Sequence, residues 1–428
     1  MSSASLPDTA WFVHDRLGMF IHWGLYALPA RHEWVKHHEE IPDEAYEKYF
    51  RHFDPDLYDP DAWAAAAANA GMKYMVITTK HHEGFCLWDS KLTDYKATST
   101  PAGRDLLRPM LEAYRARGLR VGYYHSLIDW HHPQFVIDRV HPMRNHPQRE
   151  FWNQLRDQSK YAEYLHGQVR ELLTEYGKID VLFYDFSYPP DKGRNEWQSE
   201  KLLKMTRELQ PHIVVNDRLD LLDVPGGWDY RTPEQFQPRE GVKADGKPVL
   251  WETCQTFSGS WGYHRDEATW KSVPQIIQML VDVVSKGGNL LLNVGPTGRG
   301  EFDARALDRL SGLGEWMRRH GRSIYGCGPA PEGLKAPEDC RFTYNAATKR
   351  LYCHVFAWPI RHLHLEGMAG KVEYAQLLND ASEVRLQAHV EEEEYGAMRR
   401  SRDSGLLTLE LPVPKPDATV PVVELFLK

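Results

Sequence analysis

Short unbroken apolar runs punctuate the first three quarters of the chain. They fall at Met19–Trp23, Met72–Thr79, Leu119–His125, Ile179–Asp185, His212–Asn216, Pro248–Glu252 and Asn289–Val294, with a weaker one near Trp228–Arg231. Runs of this kind read as strands buried on both faces, the habit of parallel sheets. Between them, apolar positions recur at helical spacing. Asp61–Ala70 follows Pro60 and stops at Gly71, and Leu106–Arg117 stops at Gly118. Phe151–Tyr176 is predicted as one helix, with Phe151, Leu155, Ala162, Leu165, Val169 and Leu172 along one stripe, and Ile276–Ser285 stops before Gly287-Gly288. Proline ahead of the first turn and glycine after the last are ordinary helix punctuation. Seven or eight alternating strand–helix units predict an α/β fold, a (β/α)8-like TIM barrel over residues 1–330.

After Gly326–Pro331 the pattern changes to short strands joined by turns: Arg341–Tyr344, Leu351–Ala357, His362–Leu365, Lys371–Leu377, Val384–Val390, Leu406–Leu411 and Val422–Leu427. Residues 331–428 therefore read as a small antiparallel β-sandwich domain. The acidic run Glu391–Glu394 is expected in a solvated loop.

Composition narrows the function classes. The chain has 428 residues, with 52 Lys and Arg against 60 Asp and Glu, a formal charge of −8, and no basic stripe. That argues against nucleic acid as a partner. No apolar run approaches about 18 residues, which argues against a membrane span. The N-terminus lacks the basic start and apolar core of a secretory signal. The five scattered cysteines have no CxxC spacing, so a reduced, cytoplasmic protein is the expectation. Trp and Tyr are abundant, at 14 and 21; such rings suit sugar faces as well as ordinary cores.

In a (β/α)8 barrel the chemistry lies at the C-terminal strand ends. Those ends read His22-Trp23-Gly24, Lys80-His81-His82-Glu83, Tyr124-His125-Ser126, Tyr184-Asp185, Asn216-Asp217-Arg218, Thr232-Pro233-Glu234, Glu252-Thr253-Cys254 and Asn293-Val294-Gly295. Polar groups crowd one end of otherwise apolar strands. No P-loop or dinucleotide fingerprint is present, and no serine sits in a GxSxG elbow. Carboxylates among histidines, an arginine and aromatic rings fit glycoside hydrolysis, in which one carboxylate attacks the anomeric carbon and the other protonates the departing oxygen.

The segments Gly18–Gly24, Glu33-Trp34, Thr79–Phe85, Tyr124–Ser126 with Asp129-Trp130, Ile179–Asp185, Asn216–Arg218, Trp251–Cys254 with Ser260–Tyr263, and Asp282–Pro296 occur in one order along residues 11–325. In these the chain resembles the α-L-fucosidases of glycoside hydrolase family 29. The resemblance implies a retaining exo-hydrolase acting on a fucosylated oligosaccharide or glycoconjugate, with no cofactor and no metal. It implies Asp185 as nucleophile and Glu234 as acid/base. It places fucose against His22, Glu33, Trp34, His81, His82, His125 and Arg218. Some members carry Tyr where this chain has His125. Two further departures stand out: Phe183 where Trp is common two residues before the nucleophile, and Glu83 where Asp is common before Gly84.

Glu252 is the rival acid, since it closes a predicted strand. Glu234 is preferred because a general acid must reach a leaving group outside the sugar pocket, which suits a loop. Two other classes stay open at this point. His22, His81, His82 and His125 could be ligands of a metal-dependent barrel hydrolase, or the protein could bind carbohydrate without catalysis. Assembly into a homo-oligomer and the role of the C-terminal segment are not read from the residues.

Overall fold

A computed structural model of the chain describes residues 7–395 and 398–428. Seven parallel strands form one curled sheet: β1 (Leu17–Ile21), β2 (Tyr74–Lys80), β3 (Arg120–Ser126), β4 (Val181–Asp185), β5 (Val214–Val215), β6 (Glu252–Thr256) and β7 (Asn289–Val294). Their spatial order is β5-β4-β3-β2-β1-β7-β6. The sheet is thus a parallel half-barrel of seven strands rather than the eight expected. The weak run near Trp228–Arg231 forms no strand. Instead the segment 230–234 makes isolated parallel bridges: Tyr230 with Asn216 beyond β5, Arg231 with Trp251, and Glu234 with Cys254 in β6.

Alternation along the strands builds two cores. Phe20, Val76, Tyr124, Val181, Phe183 and Leu291 meet on the concave face. Met19, Ile21, Met75, Ile77, Tyr123, Leu182 and Leu292 belong to the larger cluster on the outer side. That side carries α1 (Pro60–Asn69), α2 (Leu107–Ala116), α3 (Gln158–Glu175), α4 (Ser199–Leu209), α5 (Val273–Ser285) and α6 (Ala304–His320). Capping agrees with composition: Asp59 accepts from the Ala62 amide with Pro60 in the first turn, and Ser272 and Gln275 cap α5 reciprocally.

Two predicted elements differ in their bounds. The predicted helix Phe151–Tyr176 is two helices, Arg149–Asn153 and α3, because the Asp157 side chain accepts from the Ser159 amide at 2.9 Å and starts a new helix there. Phe151 and Leu155 are 58% and 66% exposed, off the core stripe. The predicted strand Pro248–Glu252 begins only at its last residue, Glu252. Pro248 sits in a two-residue hairpin, and pairing with β7 runs from Glu252 with Asn289 to Thr256 with Asn293. A proline has no amide to donate to a ladder. Glu252 therefore lies at the foot of β6, the end opposite the candidate site.

The C-terminal strands are β8 (Cys340–Asn345), β9 (Arg350–Val355), β10 (His362–Leu365), β11 (Val372–Leu377), β12 (Arg385–Tyr395), β13 (Met398–Glu410) and β14 (Val422–Leu427). They form antiparallel sheets β8-β9-β14-β11 and β10-β13-β12. Phe342, Leu351, Leu365, Leu409 and Leu425 from both sheets share one core. The run Glu391–Glu394, expected in a loop, is backbone of β12 paired with β13, and its side chains lie outside the described residues. These sheets dock on the helical layer: Trp316 Nε1 donates to the Val420 carbonyl at 2.9 Å, and Arg341 Nε donates to Asp282 at 2.9 Å.

Candidate active site

A cavity of about 160 Å³ opens on the concave side, lined by Phe20, His22, Trp34, His81, His82, Tyr124, Phe183, Asp185, Phe186, Arg218, Glu234, Cys254 and Trp261. Seven of the nine sequence-assigned residues meet here: Asp185, Glu234, His22, Trp34, His81, His82 and Arg218.

One guanidinium organises both carboxylates. Arg218 Nη1 donates to Asp185 Oδ1 at 2.6 Å, and Nη2 lies 2.7 Å from Glu234 Oε2. Arg218 is itself held by Nε to Thr232 Oγ1 at 3.0 Å and lies 4.9 Å over the Phe183 ring. Tyr124 donates its hydroxyl to Asp185 Oδ2 at 2.7 Å. Burial alone would raise the Asp185 carboxyl. The Arg218 charge, His82 and the Tyr124 hydrogen bond overcome it and hold the group below the usual aspartate value. Glu234 goes the other way: burial raises it, Arg218 opposes, and the charges of Asp185 and Glu33 add to the rise. The two carboxyls are thus pushed apart, one toward the anion and one toward the acid.

The histidines are neutral. Burial lowers His22 and His82 to about 3 and His81 well below the usual value. Their tautomers follow from the network. Asn293 donates its amide to the Trp261 carbonyl at 2.6 Å, so its oxygen faces His22 Nδ1 at 2.6 Å, and that nitrogen carries the proton. Ser126 donates to the Ile128 carbonyl at 2.7 Å, so His82 Nδ1, 2.7 Å from the Ser126 oxygen, is the donor there. Nε2 of both rings is left as an acceptor. Trp34 forms a wall, with ring centroids 5.0 Å from His82 and 5.2 Å from Phe186.

Two sequence-assigned residues lie off the cavity. His125 shares the outer face of β3 with Tyr123. Its Nδ1 is 2.9 Å from Thr79 Oγ1, and its ring packs toward Trp88. Adjacent strand residues face opposite sides, so Tyr124, not His125, enters the pocket. Glu33 stands behind the wall. Its Oε2 accepts from the amides of Trp261 at 3.1 Å and Gly262 at 2.9 Å, and from Ser260 Oγ at 3.3 Å. It thereby fixes the turn that presents Trp261. Sequence reasoning missed Tyr124, Trp261, Phe20 and Phe186 as lining residues; the alternation within β3 was the signal for Tyr124. Glu83 is buried, accepting from the Leu25 amide at 2.9 Å and from the Tyr46 hydroxyl, and it ties the turn after β1 to the end of β2.

The rival Glu252 is fully buried at the foot of the sheet. It accepts from the Tyr74 hydroxyl, and burial pushes it up to about 8. Among the described residues no group of three or more His, Cys, Asp or Glu is arranged to hold a metal ion.

The family profile described as alpha-L-fucosidase matches residues 1–322. Bovine tissue alpha-L-fucosidase is 33% identical over 377 residues, covering 83% of this chain and 76% of its own length. Alpha-L-fucosidase isoenzyme 1 from Paenibacillus thiaminolyticus superposes with a TM-score of 0.90 at 48% identity, over 98% of both chains. A family 29 alpha-L-fucosidase from Bacteroides thetaiotaomicron, a covalent intermediate trapped with 2-fluoro-fucosyl fluoride in a Glu-to-Gln variant, has a TM-score of 0.82 at 28% identity, covering 100% of this chain and 98% of that one. With its profile match, its full-length structural likeness and two carboxylates held by one arginine at the mouth of the half-barrel, the chain belongs to the alpha-L-fucosidases of glycoside hydrolase family 29.

Proposed function

We propose that Asp185 and Glu234 divide the work of a retaining hydrolysis that releases terminal α-L-fucose from fucosylated oligosaccharides or glycoconjugates. The observation that carries this assignment is the opposite shift of two carboxyls held by one guanidinium. Asp185, kept ionised by Arg218 and Tyr124, attacks the anomeric carbon as the glycosidic bond breaks. Glu234, whose carboxyl burial and the Asp185 charge push toward the acid form, gives its proton to the departing oxygen. In the second step the Glu234 carboxylate takes a proton from water, whose oxygen displaces Asp185 from the sugar. Two inversions return the original configuration. The neutral Nε2 atoms of His22 and His82 accept sugar hydroxyls, while Phe20, Phe183 and Trp261 offer an apolar side for the methyl group of a 6-deoxy sugar. The cavity volume of about 160 Å³ suits a single ring, and therefore exo action. We also propose that segment 230–234 serves as the missing stave of the barrel, since its bridges reach both edge strands and carry Glu234 into the site.

Substituting each carboxylate tests the division. Asp185→Gly should lose several orders of magnitude on every fucoside. Glu234→Ala should lose about 10²–10⁴-fold on oligosaccharides and retain first-turnover release of an acidic phenol. Azide should rescue Asp185→Gly as the β-fucosyl azide and Glu234→Ala as the α-anomer. The same anomer from both variants would sink the assignment.

A further inference from the structure

A second cavity, of about 650 Å³, lies on the catalytic face between the loop after β1 and the loop after β3. Glu40 and Glu44 line one side, and Met143, His146, Trp152 and Leu155 the other. We propose that it binds the outlying sugar rings of the glycan, beyond the fucose that the small pocket holds. The proposal rests on the fucosidase reading and names where the rest of that substrate goes.

Three observations lead there. First, a single buried ring, Trp130, stands between the linings of the two cavities. Trp130 packs edge-on against Trp34 at 5.2 Å and His82 at 5.5 Å. On its other side His37 stacks at 5.9 Å, and His141, which lines the second cavity, bonds the Trp130 carbonyl at 3.1 Å. Second, the lining is amphipathic in the way a sugar requires. The Trp152 ring is backed on one side by His146, with centroids 4.2 Å apart and planes at 21°. Across from it, among the described residues nothing pairs with the Glu44 carboxylate, so it remains a free acceptor for hydroxyls. Glu40 beside it is held by Arg144 at 2.9 Å and Asn145 at 2.7 Å, so a flat ring for the C–H face and the Glu44 carboxylate for the hydroxyls form the complementary pair. Third, the helix Arg149–Asn153 has no buried residue although it carries Phe151 and Trp152. With Leu155 it leaves apolar surface at the rim that the core does not use, the mark of a binding surface.

The probe is lacto-N-neotetraose, a fucose-free tetrasaccharide, titrated into full-length protein with saturating L-fucose to fill the small pocket. Saturable quenching of tryptophan fluorescence is expected, with Kd at least about tenfold weaker in Trp152→Ala. The KM for a fucosylated tetrasaccharide should rise by the same order with kcat unchanged, and kcat/KM for an aryl fucoside should stay within about twofold. Leu155→Arg, at a position 66% exposed, should also raise the oligosaccharide KM by narrowing the cavity. No saturable binding, or an unchanged oligosaccharide KM in both variants, overturns the proposal. So does a changed sedimentation coefficient with unchanged KM, which would make this face a contact between copies of the chain. If the wild type releases fucose from no substrate, the fucosidase reading fails, while the titration still reports on the cavity.

Discussion

Two carboxyls on one guanidinium titrate apart when one also accepts a tyrosine hydroxyl and the other looks at its neighbour's charge. Turnover of an unactivated fucoside needs Asp185 ionised and Glu234 protonated. The lowered Asp185 places the acid limb of kcat/KM below the usual aspartate range, and the raised Glu234 places the basic limb above the usual glutamate range. Glu234→Gln, assayed on the first turnover of an activated aryl fucoside, should keep the acid limb and lose the basic one; an intact basic limb would remove Glu234 from the acid role. Glu252 titrates for a different reason. Its folded-state carboxyl is raised to about 8 by burial, so the folded protein holds a proton that the unfolded chain releases from about pH 4.5 upward. Its contribution to stability is therefore complete below the unfolded value and is lost as pH rises toward 8. Glu252→Gln should keep activity on oligosaccharides and be more stable than wild type above pH 8 by a few kcal/mol, with the difference vanishing below pH 4. Equal pH dependence in the two proteins, measured by denaturant unfolding, would contradict this. Both residues were legible as strand-end acids in the sequence. What the sequence did not disclose was register: Pro248 delays β6 until Glu252, and alternation in β3 sends Tyr124 inward where His125 was expected.

Turns, not strands, aim the reactive groups. The residue after each candidate carboxylate is a non-glycine in the left-handed region, Phe186 at φ 80° and Gln235 at φ 58°. Such backbone is sparsely populated and needs support from its surroundings. Phe186 is held against Trp34, and Gln235 by its own amide to the Cys254 carbonyl at 3.0 Å. Neither conformation is visible in composition, because glycine, the usual marker, is absent. The turn 260–263 is more readable: Gly262 and Gly295 both stand in segments that carried the family resemblance. A Cβ on Gly295 would lie 2.6 Å from the Tyr263 amide nitrogen and 2.8 Å from the Trp261 carbonyl oxygen. Gly295→Ala should therefore displace the turn that Glu33 anchors, costing about 1–3 kcal/mol of stability and about 10- to 100-fold in kcat/KM. Wild-type kinetics in that variant would show that the turn does not position the pocket. The split of the predicted helix 151–176 has the same origin in a local cap, Asp157, which overrides the apolar spacing.

At the scale of the whole molecule, the parallel units and the antiparallel C-terminal sheets were both legible from period alone: unbroken runs in the first part, short strands between turns in the second. The closure of the first part was not, because segment 230–234 meets its neighbours through single bridges and carries too short an apolar run to announce a strand. Yet that irregular segment brings Glu234 beside Arg218, and the regular strands bring Asp185, Tyr124 and His22 to the same cavity from residues far apart in the chain. The account thus selects one nucleophile among 60 Asp and Glu side chains. Incubation with 2-fluoro-fucosyl fluoride, followed by proteolysis and mass-spectrometric mapping of the labelled peptide, tests that selection most directly. The fucosyl label is predicted on Asp185, with slower release in Glu234→Gln than in wild type. A label on any other carboxylate, or turnover of the reagent with no covalent adduct in either protein, would contradict it.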